Sequence, residues 1–376
     1  MKLETNARML KSALKTVARA TRWSSSIPVL GTVLFDGSTV TACDLDQEIS
    51  VTMPVKSAKG SACIPHKTLL NLVSHLPGEE PVRIEAGEQG ATLVFSSGRY
   101  DLPTAPVPDF PRLELSGEAK SIAIDGDGLK TALAFVSPFM STEETRYYLN
   151  GVCLDVNDAV ATDGHRMGVH PLGFDGEAFQ RAIIPHAVVN ALLLMPAPKA
   201  ISIATEKRPM VDIRMDGARI RAKLIDGTFP DWRRVVPSMS PNAAHATLDR
   251  ASLMHIAGRM ASFGPSSGLS LAWDAERLAV AAKVWGGEVT ARETMPVLSP
   301  SSGGNCTYNA HYLKSVLQVL RSDVVSFKCQ DAHSPSAWRG DGDGYALLMP
   351  MRQGEDALAT NLLSQLTAGK RLDEAA

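Results

Sequence analysis

The chain has 376 residues, of which 44% are hydrophobic and 21% charged, as is typical of a globular protein long enough for two or three domains. Its 38 basic and 40 acidic residues give a net charge of −2, so any nucleic acid would have to be bound by a local basic patch. The five cysteines are odd in number and include no C-x-x-C pair, which argues against a disulfide framework and a zinc site.

The N-terminal segment, "MKLETNARML", is too polar for a signal peptide. The most apolar stretch, residues 182–201, contains His186 and three prolines, which do not suit a membrane-spanning helix. We therefore expect a cytoplasmic protein with no membrane partner.

The first predicted helix carries its cations along one side. They are spaced three, four, four and three residues apart, and they are Arg8, Lys11, Lys15, Arg19 and Arg22. At about 100° per residue this spacing gives a single stripe, with Leu10, Leu14 and Val17 on the opposite side. Most charged stripes are only solvated faces, but five cations in a net acidic chain suit a surface that follows DNA phosphates. No base-reading motif accompanies them, so the pattern predicts sequence-independent contact with the DNA backbone.

Three sequence features recur at intervals of about 120 residues, which indicates a tandem repeat. Three helical segments align Leu10 with Leu129 and Leu253, at offsets of 119 and 124 residues. Three turn-helix segments, "SACIPHKTLL", "RAIIPHAVVN" and "NCTYNAHYLK", align in the same way. Phe110 and Phe229, each followed by proline, lie 119 residues apart.

Short alternating runs between the helices indicate hairpins, among them "TVLFDGSTVTACD" and "VDIRMDGARIRAKLIDG". The sequence therefore predicts an α+β fold of three tandem domains, each a doubled β-α-β-β-β unit. The predicted domains are residues 1–117, 118–244 and 245–353, followed by a C-terminal tail at 354–376.

The segment "ATDGHRM", residues 161–167, is the strongest candidate for an active site. Asp163, His165 and Arg166 have the chemistry of an acid, a base and an anion clamp. No second carboxylate-rich or histidine-rich cluster, G-x-S-x-G motif or P-loop completes a catalytic centre, so we expect no enzyme. Asp163 is instead expected to shape a turn through backbone hydrogen bonds. The segment has no evident counterpart in the first or third domain, and this asymmetry is interpreted as the mark of a site.

A second run, "GDGDGY" at residues 340–345, contains two aspartates among glycines. It lacks the later glutamate of a calcium-binding loop, and a hairpin turn is the favoured interpretation. We therefore expect no metal and no other cofactor.

Eight motifs together resemble those of the β subunit of bacterial DNA polymerase III, the sliding clamp family. They are "IPVLGTVLF" (27–35), "ACDLDQEI" (42–49), "DFPRL" (109–113), "RYYLNGV" (146–152), "ATDGHRM" (161–167), "DGTFPDWRRVVP" (226–237), "YNAHYL" (308–313) and "MPMR" (349–352). The resemblance covers about residues 1–352.

The resemblance implies a ring of two chains joined head to tail, in which the helices of six similar domains line a central hole around duplex DNA. The implied function is that of a non-catalytic processivity factor. Its implied partners are a second copy of the chain, the DNA polymerase III alpha subunit, the clamp loader delta subunit, and other polymerases and repair proteins that carry linear motifs. The alternative is a specialised clamp paralogue with a different partner set, which Ser266 and the C-terminal tail keep open.

The resemblance also implies residue roles. A peptide-binding groove between domains two and three would comprise Leu149, Thr162, Gly164, His165, Arg166, Met167, Pro230, Arg234, Val235, Asn309, Tyr312, Ser336, Leu347, Met349, Pro350, Met351 and Arg352. Arg22, Arg146, Tyr147 and Tyr148 would contact DNA, together with the basic stripe. Phe110 would meet Met260 and Ala261 of the other chain in the dimer.

The tail after "MPMR" departs from the family pattern. Leu358, Leu362 and Leu366 are spaced for one face of a helix. Because the tail begins beside the implied groove, one hypothesis is that it covers the groove. The alternative, which is favoured, is a short helix on the outer surface or a disordered end.

Overall fold

The structure of the chain is a computed structural model. It describes residues 1–22, 24–115, 119, 121–173, 181–205, 208–283, 290–299, 301–351 and 356–374. The chain forms two compact units. Unit 1 contains Met1–Lys130 and Gly173–Asp226, and unit 2 contains Thr131–Leu172 and Gly227–Ala376. The predicted domain limits at 117, 118, 353 and 354 lie outside the described residues, and the three-domain division stays a prediction.

Within the described residues, the order β-α-β-β-β occurs six times. The first copy comprises β1 (Lys2–Asn6), α1 (Ala7–Val17), β2 (Thr32–Asp36), β3 (Thr39–Cys43) and β4 (Gln47–Thr52). The second follows a short strand, β5 (Ser57–Lys59), and comprises β6 (Ser61–Pro65), α2 (His66–Ser74), β7 (Pro81–Gly87), β8 (Gly90–Phe95) and β9 (Gly98–Leu102). The third comprises β10 (Ser121–Ala123), α3 (Gly126–Val136), β11 (Gly151–Asp155), β12 (Asp158–Thr162) and β13 (Arg166–Pro171).

The remaining copies have the same order. The fourth comprises β14 (Ala182–Pro185), α4 (His186–Leu194), β15 (Pro198–Ala204), β16 (Met210–Met215) and β17 (Ala218–Lys223). The fifth comprises β18 (Ala244–Asp249), α5 (Arg250–Ala261), β19 (Gly268–Trp273), β20 (Arg277–Lys283) and β21 (Thr290–Pro296). The sixth comprises β22 (Gly304–Asn309), α6 (Ala310–Val319), β23 (Val324–Cys329), β24 (Ser336–Arg339) and β25 (Tyr345–Leu348), and the chain continues into α7 (Asp356–Thr367).

The repeat inferred from sequence is confirmed by equivalent positions. Leu10, Leu129 and Leu253 are all buried, on α1, α3 and α5. Pro65, Pro185 and Asn309 each immediately precede a helix, at the N-cap positions of α2, α4 and α6. The α+β class and the doubled β-α-β-β-β unit are therefore confirmed.

Unit 1 is built on two antiparallel sheets. One has the strand order β5-β1-β7-β8-β9, and the other has the order β10-β15-β16-β17-β4-β3-β2-β6. The second sheet joins two copies of the repeat through β17 and β4, in a register that sets Arg221 opposite Glu48. Helix α1 packs against α2, and its buried face consists of Ala7, Leu10, Ala13, Leu14 and Val17. This is the apolar side that the sequence predicts.

Unit 2 also contains two antiparallel sheets. In the larger, the strands of this unit follow the order β11-β12-β13-β25-β24-β23-β18, and the smaller has the order β21-β20-β19-β22. The larger sheet again joins two copies of the repeat, here through β13 and β25, with Met167 opposite Leu347. Helices α5 and α6 pack against each other.

Helix α7 packs on β19 and β20 of the smaller sheet in unit 2. Leu362 and Leu366 are buried against Ala279, while Ala359 contacts Ala272 and Ala281. The small alanine side chains of the sheet allow the helix to approach closely. The favoured interpretation of the tail, a short helix packed on the protein surface, is therefore confirmed for the described part of the tail.

Local structure also bears on other features singled out in the sequence. All five cysteines are buried, and none of them is in a disulfide bond. Residues 340–344 form the turn between β24 and β25, as expected for "GDGDGY". In the part of the chain that the structure describes, no group of metal-binding side chains is present, and no helix has the length and apolar character needed to cross a membrane.

Candidate functional site

The turn between β12 and β13 is held by the side chain of Asp163. Its Oδ1 atom accepts hydrogen bonds from the backbone N–H groups of His165 and Arg166, at 2.9 and 3.0 Å. Gly164, between Asp163 and His165, has a φ of +89°, a backbone conformation that favours glycine. The predicted structural role of Asp163 is confirmed.

The expectation that this turn has no counterpart in the first domain is wrong. Between β3 and β4, 119 residues earlier, Asp44 Oδ1 accepts hydrogen bonds from the backbone N–H groups of Asp46 and Gln47, at 3.0 and 2.7 Å. Leu45 takes the left-handed position of Gly164, at φ +78°. The corresponding hairpin of the fifth copy includes residues 284–289, which lie outside the described residues. The equivalence is hard to see in the sequence because the aligned segments 42–48 and 161–167 share only an alanine and this aspartate. The two turns differ in their other side chains.

Arg166 connects this turn to helix α6. Its Nε atom donates to Asp163 Oδ2 at 2.8 Å, and its Nη1 atom donates to Ser315 Oγ. The guanidinium also lies 5.7 Å from the ring centroid of Phe139 and 5.0 Å from that of Tyr312. Only 16% of the side chain is exposed. Arg166 therefore braces the turn, and few of its donors remain for a ligand.

A cavity of about 270 Å³ opens beside the turn, entirely within unit 2. Ten of the predicted groove residues line it: Leu149, Thr162, Gly164, His165, Arg166, Met167, Pro230, Val235, Leu347 and Met349. Its floor is formed by apolar side chains, and its rim carries His165 and Arg146. This combination of an adaptable apolar floor and a polar rim suits an extended peptide. We name this cavity the groove.

The groove wall also contains residues that the sequence reasoning did not assign to it: Arg146, Tyr148, Asp231, Trp232 and Pro335. Trp232 Nε1 donates to Asp155 Oδ2 at 2.8 Å, and this bond anchors the 230–235 segment to β11. The tryptophan two residues after Pro230 could have indicated this anchor from the sequence. A buried indole N–H needs a hydrogen-bond acceptor, and that bond fixes the loop that carries the tryptophan.

The other predicted groove residues that the structure describes are not part of the cavity wall, although some of them contact it. Ser336 is fully buried, with Oγ donating to Leu348 O and accepting from Trp338 Nε1, so it does not line the groove. Asn309 caps α6, and the Tyr312 ring lies 5.4 Å from that of His165. Arg234 pairs with Asp231 at 2.9 Å. Pro350 and Met351 follow β25 without lining the groove, and Arg352 lies outside the described residues.

The predicted DNA-binding cations occupy three different settings. The first helix ends at Val17, so Arg8, Lys11 and Lys15 are on α1, whereas Arg19 is in a following 3-10 turn and Arg22 lies beyond it. The helix is shorter than the stripe of cations because the chain continues as a 3-10 turn over Ala18–Ala20. Arg8 pairs with Glu79 at 3.0 Å, and Arg22 pairs with Asp46 at 2.7 Å.

The predicted DNA-binding segment around residue 147 lies next to the groove. Tyr147 is 52% exposed and packs edge-on against Tyr148, and neither is in a core strand. Arg146 pairs with Glu143 at 2.7 Å and lines the groove together with Tyr148. One short segment therefore contributes both an exposed aromatic and part of the groove wall.

The residues predicted for the dimer interface are buried within the single chain. Phe110 packs with Leu34, Cys43 and Cys63 in unit 1. Met260 and Ala261 are buried at the end of α5. Their side chains have little free surface for a partner, and the predicted contact stays a prediction.

Comparisons with known proteins agree with this architecture. Residues 1–114 match the family model of the DNA polymerase III beta subunit, N-terminal domain, and residues 123–231 match that of its central domain. A beta sliding clamp from Caulobacter vibrioides (strain NA1000 / CB15N) is 29% identical over 367 residues, covering 89% of this chain and 95% of the relative. One from Pseudomonas putida is 27% identical over 368 residues, covering 91% and 97%.

Solved structures give the same result. The crystal structure of the DNA polymerase III subunit beta from Pseudomonas aeruginosa matches with a TM-score of 0.85 and 26% identity, over 94% of this chain and 100% of that one. The DNA polymerase sliding clamp from Caulobacter crescentus matches with a TM-score of 0.82 and 27% identity, over the same fractions of the two chains. The two family models together match more than half of the chain, and the chain therefore belongs to the bacterial DNA polymerase III beta subunit family, the beta sliding clamps.

Proposed function

We propose that two copies of the chain close into a ring around duplex DNA and tether a polymerase through the groove, without catalysing a reaction themselves. The observation that carries the tethering role is the groove, an apolar cavity with a polar rim. Such a site suits a short linear motif of a partner protein.

The strand order supports the ring. In each unit, the last strand of one copy of the repeat pairs with the last strand of another, as β4 with β17 and β13 with β25. Among the described strands, the two remaining last strands, β9 and β21, both lie at sheet edges. If β9 of one chain pairs with β21 of the next, the same junction is made twice between two chains. This head-to-tail pairing closes a ring and leaves neither edge exposed.

The basic face of α1 supports contact with DNA. Arg8 and Lys15 are exposed, and Lys11 is half-buried with its Nζ atom 3.1 Å from Ser74 O. Phosphate contacts of this kind are independent of sequence and weaken with salt. Topological closure then holds the protein on DNA, while the weak contacts allow sliding.

The groove is the proposed docking site for the polymerase III alpha subunit, the clamp loader delta subunit, and other polymerases and repair proteins. A Pseudomonas aeruginosa relative has been solved bound to griselimycin, so a clamp of this fold binds a ligand other than DNA. The replication role also implies that the protein acts in the cytoplasm.

The test is to load the protein onto nicked circular DNA with a clamp loader and then to cut the circle at one site. A sliding ring is retained on the circle and is released after linearisation, and blocking both ends restores retention. Retention on open linear DNA, or a monomer in sedimentation at micromolar concentration, would contradict the ring. Primer extension by the replicative polymerase, with and without the protein, separates a processivity clamp from a specialised paralogue.

A further inference from the structure

A second cavity, of about 270 Å³, lies close to the groove. Both cavities are on the same face of the larger sheet in unit 2. The second cavity is bounded on one side by the chain segment Val236–Met239 and on the other by β23, β24 and β25. Its charged side chains are Lys328 and Arg339. We name it the cationic cavity.

The strand register connects the two cavities. Leu347, in the groove wall, lies opposite Ala337, which in turn lies opposite Lys328. Directly opposed residues of antiparallel strands point to the same side of the sheet, and strands are about 4.8 Å apart. Lys328 is therefore two strands, or about 10 Å, from the groove wall.

The segment after Trp232 separates the two cavities. Val235 lines the groove, and the next residues, Val236 and Pro237, line the cationic cavity. A partner segment that fills the groove reaches the second cavity with about three further residues, because an extended chain advances about 3.4 Å per residue and Lys328 lies about 10 Å from the groove wall.

The charge of the cationic cavity is not balanced by its own walls. Among the described residues, its lining includes no carboxylate, and neither Lys328 nor Arg339 forms an ion pair. Arg339 instead lies over the ring of Tyr345, with its guanidinium carbon 4.6 Å from the ring centroid. The nearest carboxylates in sequence are Asp331, whose oxygens accept hydrogen bonds from His333 and Ser334, and Asp341, in the turn that follows β24. Asp158, which acts on Tyr345, pairs with Arg233 at 3.3 Å.

We propose that the cationic cavity binds a carboxylate side chain of the same partner segment whose apolar side chains fill the groove. The inference rests on the proposed docking function of the groove. It assigns a preferred partner chemistry, an acidic residue a few positions from the apolar anchor. A guanidinium fixed by an aromatic ring and a mobile ammonium are both suited to a carboxylate. The apolar wall of Val236, Pro237 and Met239 suits the entry of one side chain better than a DNA backbone.

The test uses two fluorescent peptides with one apolar core, flanked at both ends by either Asp-Asp or Asn-Asn. Binding to the full-length protein is compared with binding to K328Q/R339Q and to K59Q/R83Q, a control that removes two strand cations from unit 1. We expect the Asp peptide to bind about threefold to tenfold more tightly at low salt. The preference should disappear in K328Q/R339Q, remain in K59Q/R83Q and weaken with salt.

The remaining outcomes each contradict a different statement. Equal affinity of the two peptides for the unmodified protein, or a preference that survives in K328Q/R339Q, overturns the cationic cavity as a carboxylate site. A loss of duplex DNA affinity in K328Q/R339Q with unchanged peptide binding assigns the cavity to phosphate and also overturns it. Failure of both peptides to bind contradicts the groove function itself, and the inference fails with it. Unchanged affinity for the Asn peptide in K328Q/R339Q verifies that the variant is folded.

Discussion

Asp44 and Asp163 hold the same turn in two copies of one repeat, each accepting two backbone hydrogen bonds with Oδ1 ahead of the last strand of its copy. Only the second turn borders the groove. The aspartate is thus part of the repeat architecture, and the two turns differ in the other side chains that they present. In the later turn these are Gly164, His165 and Arg166, where the earlier has Leu45, Asp46 and Gln47.

This equivalence provides a matched pair of variants. Asp163→Ala and Asp44→Ala each leave two backbone N–H groups without their acceptor, at a cost of about 1–3 kcal/mol in the free energy of unfolding. We expect Asp163→Ala also to weaken peptide binding in the groove, because Arg166 loses its carboxylate partner. Asp44→Ala should leave peptide binding unchanged. Denaturant titration and peptide titration of both variants check this, and equal losses of affinity would contradict it.

A glycine is favoured at position 164 for two separate reasons. Its φ of +89° disfavours any side chain, and an added Cβ would lie 2.6 Å from Arg146 Nη1. Gly37→Ala carries only the backbone cost, since nothing lies within 4 Å of its Cβ at φ +57°. We expect Gly37→Ala to cost about 1–2 kcal/mol. Gly164→Ala should cost as much and also displace Arg146 from the groove wall. Thermal unfolding and peptide affinity distinguish the two, and an unchanged affinity in Gly164→Ala would count against Arg146 as part of the groove.

The sequence was sufficient to predict the elements and their repetition, because the apolar period and the helix-capping positions are local properties. It was not sufficient for contacts between distant segments. Trp232 bonds to Asp155, 77 positions away, and Arg166 bonds to Ser315, 149 positions away. Ser336 and Trp338 are buried and alternate with the half-buried Ala337 and the exposed Arg339 on β24, and only the fold shows that the side of Ser336 is the buried one. The family resemblance predicts ten of the fifteen residues that line the groove, whereas the long-range contacts that brace it require the structure.

The contribution of α1 to DNA binding can be measured by the salt dependence of affinity. We expect R8Q/K11Q/K15Q to lower the slope of log affinity against log salt by about 0.9 for each DNA phosphate that the variant no longer neutralises. The control K59Q/R83Q/K199Q removes the same charge from strand residues of β5, β7 and β15. A slope that falls equally in both variants would show that only net charge is involved.

The tail is expected to contribute stability without regulating the groove. Leu362→Ala removes a buried side chain from the contact between α7 and Ala279, and we expect a cost of about 2–4 kcal/mol to the docking of α7. Asn361→Ala, on the exposed side of the same helix, should change little. Peptide affinity should be unchanged in Leu362→Ala and after removal of residues 354–376, because no described residue of α7 lines the groove. Tighter peptide binding by the shortened chain would support the hypothesis that the tail covers the groove. Hydrogen exchange of the amides in α7 reports the docking directly.

Acid stability should depend on Asp212, which lies in the sheet that joins two copies of the repeat in unit 1. Burial alone raises the pKa of this carboxyl, but hydrogen bonds from Arg219 and Arg214 outweigh burial and hold its pKa below the usual 3.8. A depressed pKa in the folded state gives stability that is present above the unfolded pKa of about 4 and is lost as the pH falls below it. Asp212→Asn should therefore cost about 1–3 kcal/mol at pH 7 and progressively less below pH 4.

Asp216→Asn, which removes a largely exposed partner of Lys199 from the same hairpin, is the matched control and should change little at either pH. Denaturant unfolding between pH 7 and pH 3 measures both variants. If Asp212→Asn lowered the free energy of unfolding by the same amount at pH 7 and at pH 3, the hydrogen bonds from Arg219 and Arg214 would not be the cause of the low pKa of Asp212.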